Sequence, residues 1–525
     1  MSRRSVALLI VLSAVLTGSF RFLATAEFNN DHFVHLAAAQ QVLFGDWPTR
    51  DFIDIGRPLQ IVASAVAQRV IGPDLFAEAI LVSAAYGLAA ALTAAVVVAT
   101  TGSPLAAAGA VLVEVVAFPR TYSYPKVLAI AAGLWLIGHF LRNPVRGRRM
   151  LMAAGVGIAF FLRHDLGVFV AIGGLVASMV AAPAATWQQR CRSALTFAAL
   201  VVTFVLPYLI YVQANGGLSN YVATALEQNR LEPGYVWPNP FTAGSAWDAQ
   251  LLYAFHLLPV LALGISLVHW KGGDHSWRTG FIIATACLAI SLNFGLIRDV
   301  IRARIPDAIV PFVVLGAWLA HPVSPPRPRY VAIAAAIGFV VTGLALADAA
   351  NIVENLNRAG LDSRIWSEPG LLRVRFAERS AQLHDRVSGS SPSRTALVLR
   401  PFFRYLDRCT TREHRLFLGG LIPEVAYLAQ RPFAGGGYEH YNFSSLVNQQ
   451  KVVDRLRTQL TPFAVIPAGG DSRLEDFPIV STYIRRHYRL LSDVPIAGEE
   501  HVEILVNQDL PSASRDRETG WPCFT

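Results

Sequence analysis

Residues 29–60 read NNDHFVHLAAAQQVLFGDWPTRDFIDIGRPLQ, with Asp31, Asp46, Asp51 and Asp54 spaced through them. The segment before this stretch, residues 5–26, is an apolar run, and another begins at residue 75. A helix that crosses a bilayer needs about 20 apolar residues, because each adds about 1.5 Å against a hydrocarbon core of about 30 Å. Both flanking runs reach that length. Residues 27–74 therefore form a hydrophilic loop between two spans, far longer than a link between helices requires. Within the loop, 58–71 is apolar but is accompanied by Arg57, Gln60, Gln68 and Arg69, which predicts a helix at the membrane interface rather than a span.

Outward from this loop the same kind of run recurs. Candidate spans lie near 5–26, 75–100, 104–119, 126–141, 150–163, 166–183, 193–213, 249–269, 279–297, 307–321 and 330–347, with 104–119 and 150–163 short. Cytoplasmic loops retain Lys and Arg. With the start inside, the inner segments hold Arg3, Arg4, Arg142, Arg146, Arg148, Arg149, Arg190, Arg192, Lys271, Arg278, Arg327 and Arg329 against the single acid Asp274. This alternation predicts an odd number of spans, a cytoplasmic N-terminus and an external C-terminal region. The Arg-led start and Ala24, Thr25 and Ala26 also resemble a cleavable signal peptide; cleavage there would leave everything after residue 27 where it is.

The predicted fold class is thus a polytopic α-helical membrane protein of about 11 transmembrane helices, residues 1–347, followed by a soluble extracytoplasmic α/β domain, residues 348–525. Composition agrees. The chain of 525 residues is 53% hydrophobic and 15% charged, against about 25% charged in a soluble domain. The first 347 residues hold 23 basic and 15 acidic residues, and the rest 22 and 21, so the polar part lacks the basic stripe a nucleic-acid partner would need. No CxxC pair suggests zinc. Cys409 and Cys523 are available to pair if the tail faces an oxidising compartment. In the tail, 395–400, 415–420, 463–468 and 501–507 are β-prone, while 369–388, 446–460 and 474–490 carry helical spacing. Gly435, Gly436 and Gly437 mark a turn that is not a phosphate loop.

Three further outer segments place cations where the topology rule expects few. FPRTYSYPK brings Arg120 and Lys126 together with Tyr122 and Tyr124; FLRHDLG places Arg163, His164 and Asp165 between two spans; RDVIRARIPD supplies Arg298, Arg302 and Arg304 beside Asp299 and Asp307. Any one arginine at a helix end is equally well explained by snorkelling to lipid phosphates, and Asn30 or Asp31 by capping a helix that starts at His32. Charge beside a span usually marks a site or a pair, however, and three clusters on one face favour a shared anionic ligand. A carboxylate takes a proton from an incoming hydroxyl, and cations stabilise charge on a departing phosphate. Access from lipid points to a leaving group with a greasy tail, which a polyprenyl phosphate sugar provides.

Taken with the Gly-Asp-Trp-Pro, Arg-Asp-Phe and Gly-Arg-Pro elements between Gly45 and Pro58, the order and placement of these segments resemble the GT-C superfamily of integral membrane glycosyltransferases. The branch in question is the one similar to protein O-mannosyltransferases and aminoarabinose transferases. Tyr122–Lys126 and Arg163–Asp165 also look like patches that recur there. The resemblance implies a bacterial inner-membrane enzyme that moves a sugar from a polyprenyl-phosphate donor to a glycan, lipid or protein acceptor by inverting displacement. Asp31 would be the base and Asp54 the reserve carboxylate. Arg57, Arg120, Lys126, Arg163, Arg298, Arg302 and Arg304 would be candidates for the donor phosphate, and His32, Tyr122, Tyr124, His164 and Asp165 for substrate contact. Where many relatives have two successive acids, this chain has Asp31 and His32. His32 is read either as orienting Asp31 or as facing solvent. No metal ligands and no cofactor are assigned, and a divalent metal's participation is left open. Glu114 is either a buried structural partner or a site member.

Tyr221, Tyr235, Trp237 and Trp247 are candidates for sugar stacking or simply for an interfacial belt, and Tyr438, Glu439 and His440 for substrate contact or an ordinary turn. The rival from another class is a transporter or flippase of a lipid-linked or anionic substrate. Such proteins often show paired, interrupted repeats, which the sequence lacks. A second rival is a membrane-anchored assembly or sensor protein, for which so many spans are excessive.

Overall fold

The computed structural model describes residues 3–25, 28, 30–54, 56–182, 184–231, 246–295, 304–321, 329–361, 368, 370–385, 394–438, 440–468, 474–497 and 500–525. Its helices in the apolar part are α1 (Arg3–Ala24), α2 (Asn30–Leu43), α3 (Pro58–Ile71), α4 (Leu75–Thr101), α5 (Pro104–Val116), α6 (Tyr124–Arg142), α7 (Arg146–Leu162) and α8 (His164–Val180). They continue with α9 (Trp187–Asn215), α10 (Leu218–Leu231), α11 (Ala246–Lys271), α12 (Trp277–Phe294), α13 (Ile309–Ala320) and α14 (Arg329–Ala349). Seven helices are long and apolar enough to cross a membrane, and Pro58–Ile71, Pro104–Val116, His164–Val180 and Ile305–Ala320 are shorter apolar helices. The protein is a multi-pass membrane protein with about eleven apolar helices and a mixed α/β part at its C-terminal end. Each of the eleven runs read from the sequence falls on a helix. That covering 150–163 begins at Arg146, and its cationic first turn makes it the least apolar of the set.

The chain divides into two compact units, one comprising residues 1–25, 80–209 and 232–375, the other 26–79, 210–231 and 376–525. In the first, α6, α7 and α8 pack on one another, α12 packs on α6 and α8, and α13 packs against α5, α6, α11, α12 and α14. Every residue from Ile309 to Leu319 is buried, as an all-round apolar helix must be. Outward side chains such as Leu195 and Val202 of α9 and Ile333 and Leu344 of α14 are exposed, which suits a lipid solvent. In lipid, close approach replaces hydrophobic exclusion as the packing force. A Cβ on Gly87 would lie 2.6 Å from the Ala14 carbonyl oxygen, so α1 and α4 touch backbone to backbone.

The second unit is built on a four-stranded sheet of β1 (Leu416–Leu418), β2 (Phe463–Ala468), β3 (Tyr488–Ala497) and β4 (Glu500–Asn507), in the order β1-β2-β4-β3. β1 and β2 are parallel and the other pairings antiparallel. Helices α15 (Pro423–Ala429) and α16 (Leu446–Leu456) make the crossover between β1 and β2. Two expectations are corrected here. Residues 395–400 are helical, Arg394–Val398 running into Arg400–Cys409, where Pro401 at the start of the second helix and the charged stripe of 400–409 favour helix. The helix expected over 474–490 ends at His487, and Tyr488 opens β3, because the register against β4 captures the following residues.

The long first loop belongs to this unit. Gln41 closes a two-way bond with the Phe433 backbone, accepting from its N–H at 3.0 Å and donating to its carbonyl at 3.3 Å. Arg415 grips Asp46 with both Nη atoms, at 2.6 and 3.1 Å, and the Ile53 N–H donates to the Gly436 carbonyl at 2.9 Å. A Cβ on Gly436 would collide with the Arg455 guanidinium and sit 2.6 Å from the Asp51 carbonyl oxygen; at φ 74° glycine is required twice over. Cys409 and Cys523 form a disulfide across 114 residues. Cross-links of this kind typically stabilise by about 2–4 kcal/mol. Thermal unfolding of the Cys409→Ser variant should therefore begin at lower temperature in this unit than in the wild type, and reductant should reproduce the shift in the wild type alone.

Candidate functional site

In the membrane unit, the sequence-selected cations gather at helix ends. Residue Arg163 is extended (φ −167°, ψ 130°) and is both the last cap of α7 and the first of α8, so one backbone break presents Arg163, His164 and Asp165 together. Arg163 Nη2 bonds Asp165 Oδ2 at 2.7 Å, while His164 Nδ1 bonds the Phe160 carbonyl at 2.8 Å and its ring stacks on Phe160 at 3.9 Å. The turn Thr121–Ser123 and Pro125 start α6, which puts Lys126 in the first turn. Lys126 forms an ion pair with Asp307 of the turn Ile305–Ala308, the two side chains only 11% and 7% exposed. The Arg120 guanidinium lies 4.5 Å from the centre of the Tyr122 ring, and Lys126 Nζ lies 5.6 Å from the same ring. Arg120 and Arg163 both lie within electrostatic range of Lys126. Arg120, Tyr122, Lys126 and Arg163 are thus brought together, with Asp307 as counter-charge. Tyr124 is buried beside them on α6. Arg304 caps the 305–308 turn; Arg298 and Arg302 lie outside the described residues.

One member escaped the sequence reading. Arg21, 2% exposed in α1, is held between the Tyr86 and Phe118 rings at 4.2 and 3.9 Å, and donates to the Pro119 carbonyl at 2.6 Å. Its position within an apolar run is the same signal of costly charge that flagged the others. Tyr86 in turn donates to the Arg120 carbonyl at 2.7 Å. Glu114 is buried in α5 with Oε2 lacking a hydrogen-bond partner.

In the second unit, α2 starts at Asn30, so Asp31 occupies its first turn, exposed to solvent. Carboxylates are favoured there by the helix dipole. His32 does not face solvent: its side chain is fully buried, and Nε2 lies 2.8 Å from Oε1 of Glu78, itself fully buried. Ser64 donates to the same oxygen at 3.2 Å. One turn on, the His35 ring lies 6.3 Å from that of His32 and 3.4 Å from Arg57 Nη1. Asp54 is buried, and its Oδ1 accepts the Gly56 and Arg57 N–H groups at 3.1 Å each, shaping the turn into α3. Glu78 and Ser64 could not be picked from the sequence, since neither has a neighbour along the chain that signals it. Replacing Glu78 with Gln, which removes a charged acceptor shared by His32 and Ser64, should cost about 1.5–3 kcal/mol, read as a lower melting temperature of the purified protein.

Tyr235, Trp237 and Glu439 lie outside the described residues, as do the side chains of Trp247 and His440. Tyr221 lines a cavity with Asp54, and Tyr438 is buried against Phe433 and Phe52. Among the described residues, one group of His, Cys, Asp and Glu side chains is close enough for a metal, Cys409, Asp516 and Cys523, and its two sulfurs are joined in the disulfide.

Long apolar helices followed by a mixed-sheet part define a polytopic membrane protein. The chain is similar over its whole length to the crystal structure of ArnT from Cupriavidus metallidurans bound to undecaprenyl phosphate: the TM-score is 0.50 at 14% identity, covering 96% of this chain and 98% of that one. The likeness is one of fold. No protein-family model matches the chain, and no curated protein does.

Proposed function

We propose that this protein is a glycosyltransferase that moves a sugar from a polyprenyl-phosphate donor to an acceptor hydroxyl on the extracytoplasmic face of a bacterial inner membrane, with the N-terminus cytoplasmic. The observation that carries the reading is the cluster of Arg120, Lys126 and Arg163 at helix ends, joined to Asp307 and the Tyr122 ring. Half-buried cations at helix ends are suited to a phosphate whose charge grows as the sugar leaves. The fold shared with a protein seen bound to undecaprenyl phosphate supports the same donor class. The Cys409–Cys523 disulfide favours an oxidising compartment for the second unit.

In this reading Asp31 is the base. It is the carboxylate with solvent access in the first turn of α2, whereas one Asp54 oxygen is committed to two backbone N–H groups. Asp31 accepts the acceptor's proton as the oxygen attacks the anomeric carbon; the bond to the lipid phosphate breaks on the opposite face, and the configuration inverts. His32, tied to Glu78, holds the start of α2 in place. Arg120, Lys126 and Arg163 are the phosphate ligands. The protein in nanodiscs, supplied with a panel of radiolabelled polyprenyl-phosphate sugars and envelope glycans or lipids, should release polyprenyl phosphate in step with labelled acceptor. Movement of the intact donor across liposomes without transfer would favour the flippase instead.

A further inference from the structure

The second unit contains a cavity of about 290 Å³ whose wall comes from three separate parts of the chain: the first loop, the end of α9 with α10, and α16. Small-molecule sites run from roughly 300 Å³ upward, so this one suits a single sugar ring rather than a chain. Its chemistry is mixed in a particular way. Asn220, Thr224 and Asn448 offer amides and hydroxyls, Tyr221 offers an aromatic ring, and Asp54 is a buried carboxylate. Such groups recognise the alternating hydroxyls and C–H faces of a sugar.

Charge adds a second requirement. Lys451 and Arg455, one turn apart on α16, both line the cavity, and neither is in an ion pair among the described residues. The Arg455 guanidinium is fixed by donating to the Arg50 carbonyl at 3.0 Å, against the glycine turn at Gly436. The wall is also held in an unfavourable conformation. Thr49 is in the left-handed region at φ 70°, which costs a β-branched residue dearly, and its Oγ1 is buried without a hydrogen-bond partner. A buried hydroxyl without a partner calls for an explanation, and a ligand's hydroxyl supplies one.

We propose that this cavity binds a sugar carrying an anionic substituent, its hydroxyls held by Thr49, Asn220, Thr224 and Asn448 and its charge by Lys451 and Arg455. The inference rests on the transferase reading only in taking that sugar to be part of the acceptor; the binding itself stands on the cavity. The test is equilibrium binding to the full-length protein in nanodiscs, by saturation-transfer NMR and calorimetry, with glucuronic acid, glucose 6-phosphate, glucose and inorganic phosphate. At least one of the two anionic sugars should bind saturably and at least 10-fold more tightly than glucose or phosphate. The two anionic probes separate a carboxylate from a phosphate preference. The exposed Lys451→Glu and the Asn220→Ala variants should each weaken that binding at least 10-fold while melting like the wild type.

Absence of saturable binding by either anionic sugar, glucose binding equally well, phosphate alone matching the sugars, or indifference to both variants would overturn the proposal. Undecaprenyl phosphate binding measured on the same samples keeps the two readings apart. If it binds and the sugars do not, this inference falls and the donor chemistry stands. The reverse result retains the cavity and removes the donor.

Discussion

Asp31→Asn should lower sugar transfer by about 10²- to 10⁴-fold, the range in which a positioned general base contributes, with protein yield and melting temperature unchanged. The second half of the prediction is as informative as the first. Asp31 is exposed in the first turn of α2, so amide for carboxylate removes no buried contact and loses at most a few tenths to about 1 kcal/mol of helix-dipole interaction. A drop in turnover with an intact fold and unchanged donor affinity is what loss of a base produces. Equal losses in donor binding and turnover would point to a positioning role. Transfer surviving in Asp31→Asn and disappearing in Asp54→Asn would move the base to the second carboxylate.

The second large effect concerns the Lys126–Asp307 pair. Removing one partner of a buried ion pair leaves the other uncompensated, at about 3–5 kcal/mol; Lys126→Ala should therefore destabilise the membrane unit and also weaken donor binding. Stability and function separate in the double variant. Replacing Lys126 with Met and Asp307 with Leu removes both charges and should recover most of the melting temperature. Donor binding should remain weakened by about 10²- to 10³-fold, as expected for a lost desolvated phosphate contact worth 2–5 kcal/mol. If the double variant recovers donor affinity along with stability, Lys126 is a structural ion-pair member and the phosphate is held by Arg120 or Arg163.

Much of this architecture is legible along the chain because a bilayer imposes a simple rule on sequence. Any segment that crosses it must be apolar for about 20 residues and satisfy its own backbone, so the α1, α4, α6 and α14 runs announce themselves. Arg120, Lys126 and Arg163 are visible for the same reason, as expensive departures from the rule. Arg21 obeys the same logic, yet it sits inside an otherwise uninterrupted run and is accommodated only by the aromatic faces of Tyr86 and Phe118, which lie far from it in sequence. In the polar tail the rule lapses: strand β3 follows a helix without a break because its pairing with β4 outweighs the local spacing.

By itself the sequence determined that the chain is a polytopic membrane protein with a long acidic first loop and a polar, sheet-containing end, since each of these is a property of contiguous residues in a given solvent. Only the tertiary structure decided which distant groups meet. It buries His32 on Glu78, ties Gln41 and Asp46 of the first loop to Phe433 and Arg415, and sets Asp54 in one cavity wall with Asn220 and Arg455. These pairings carry no local signature, because a buried polar group is satisfied by whichever partner folding brings within about 3 Å, however many residues lie between them.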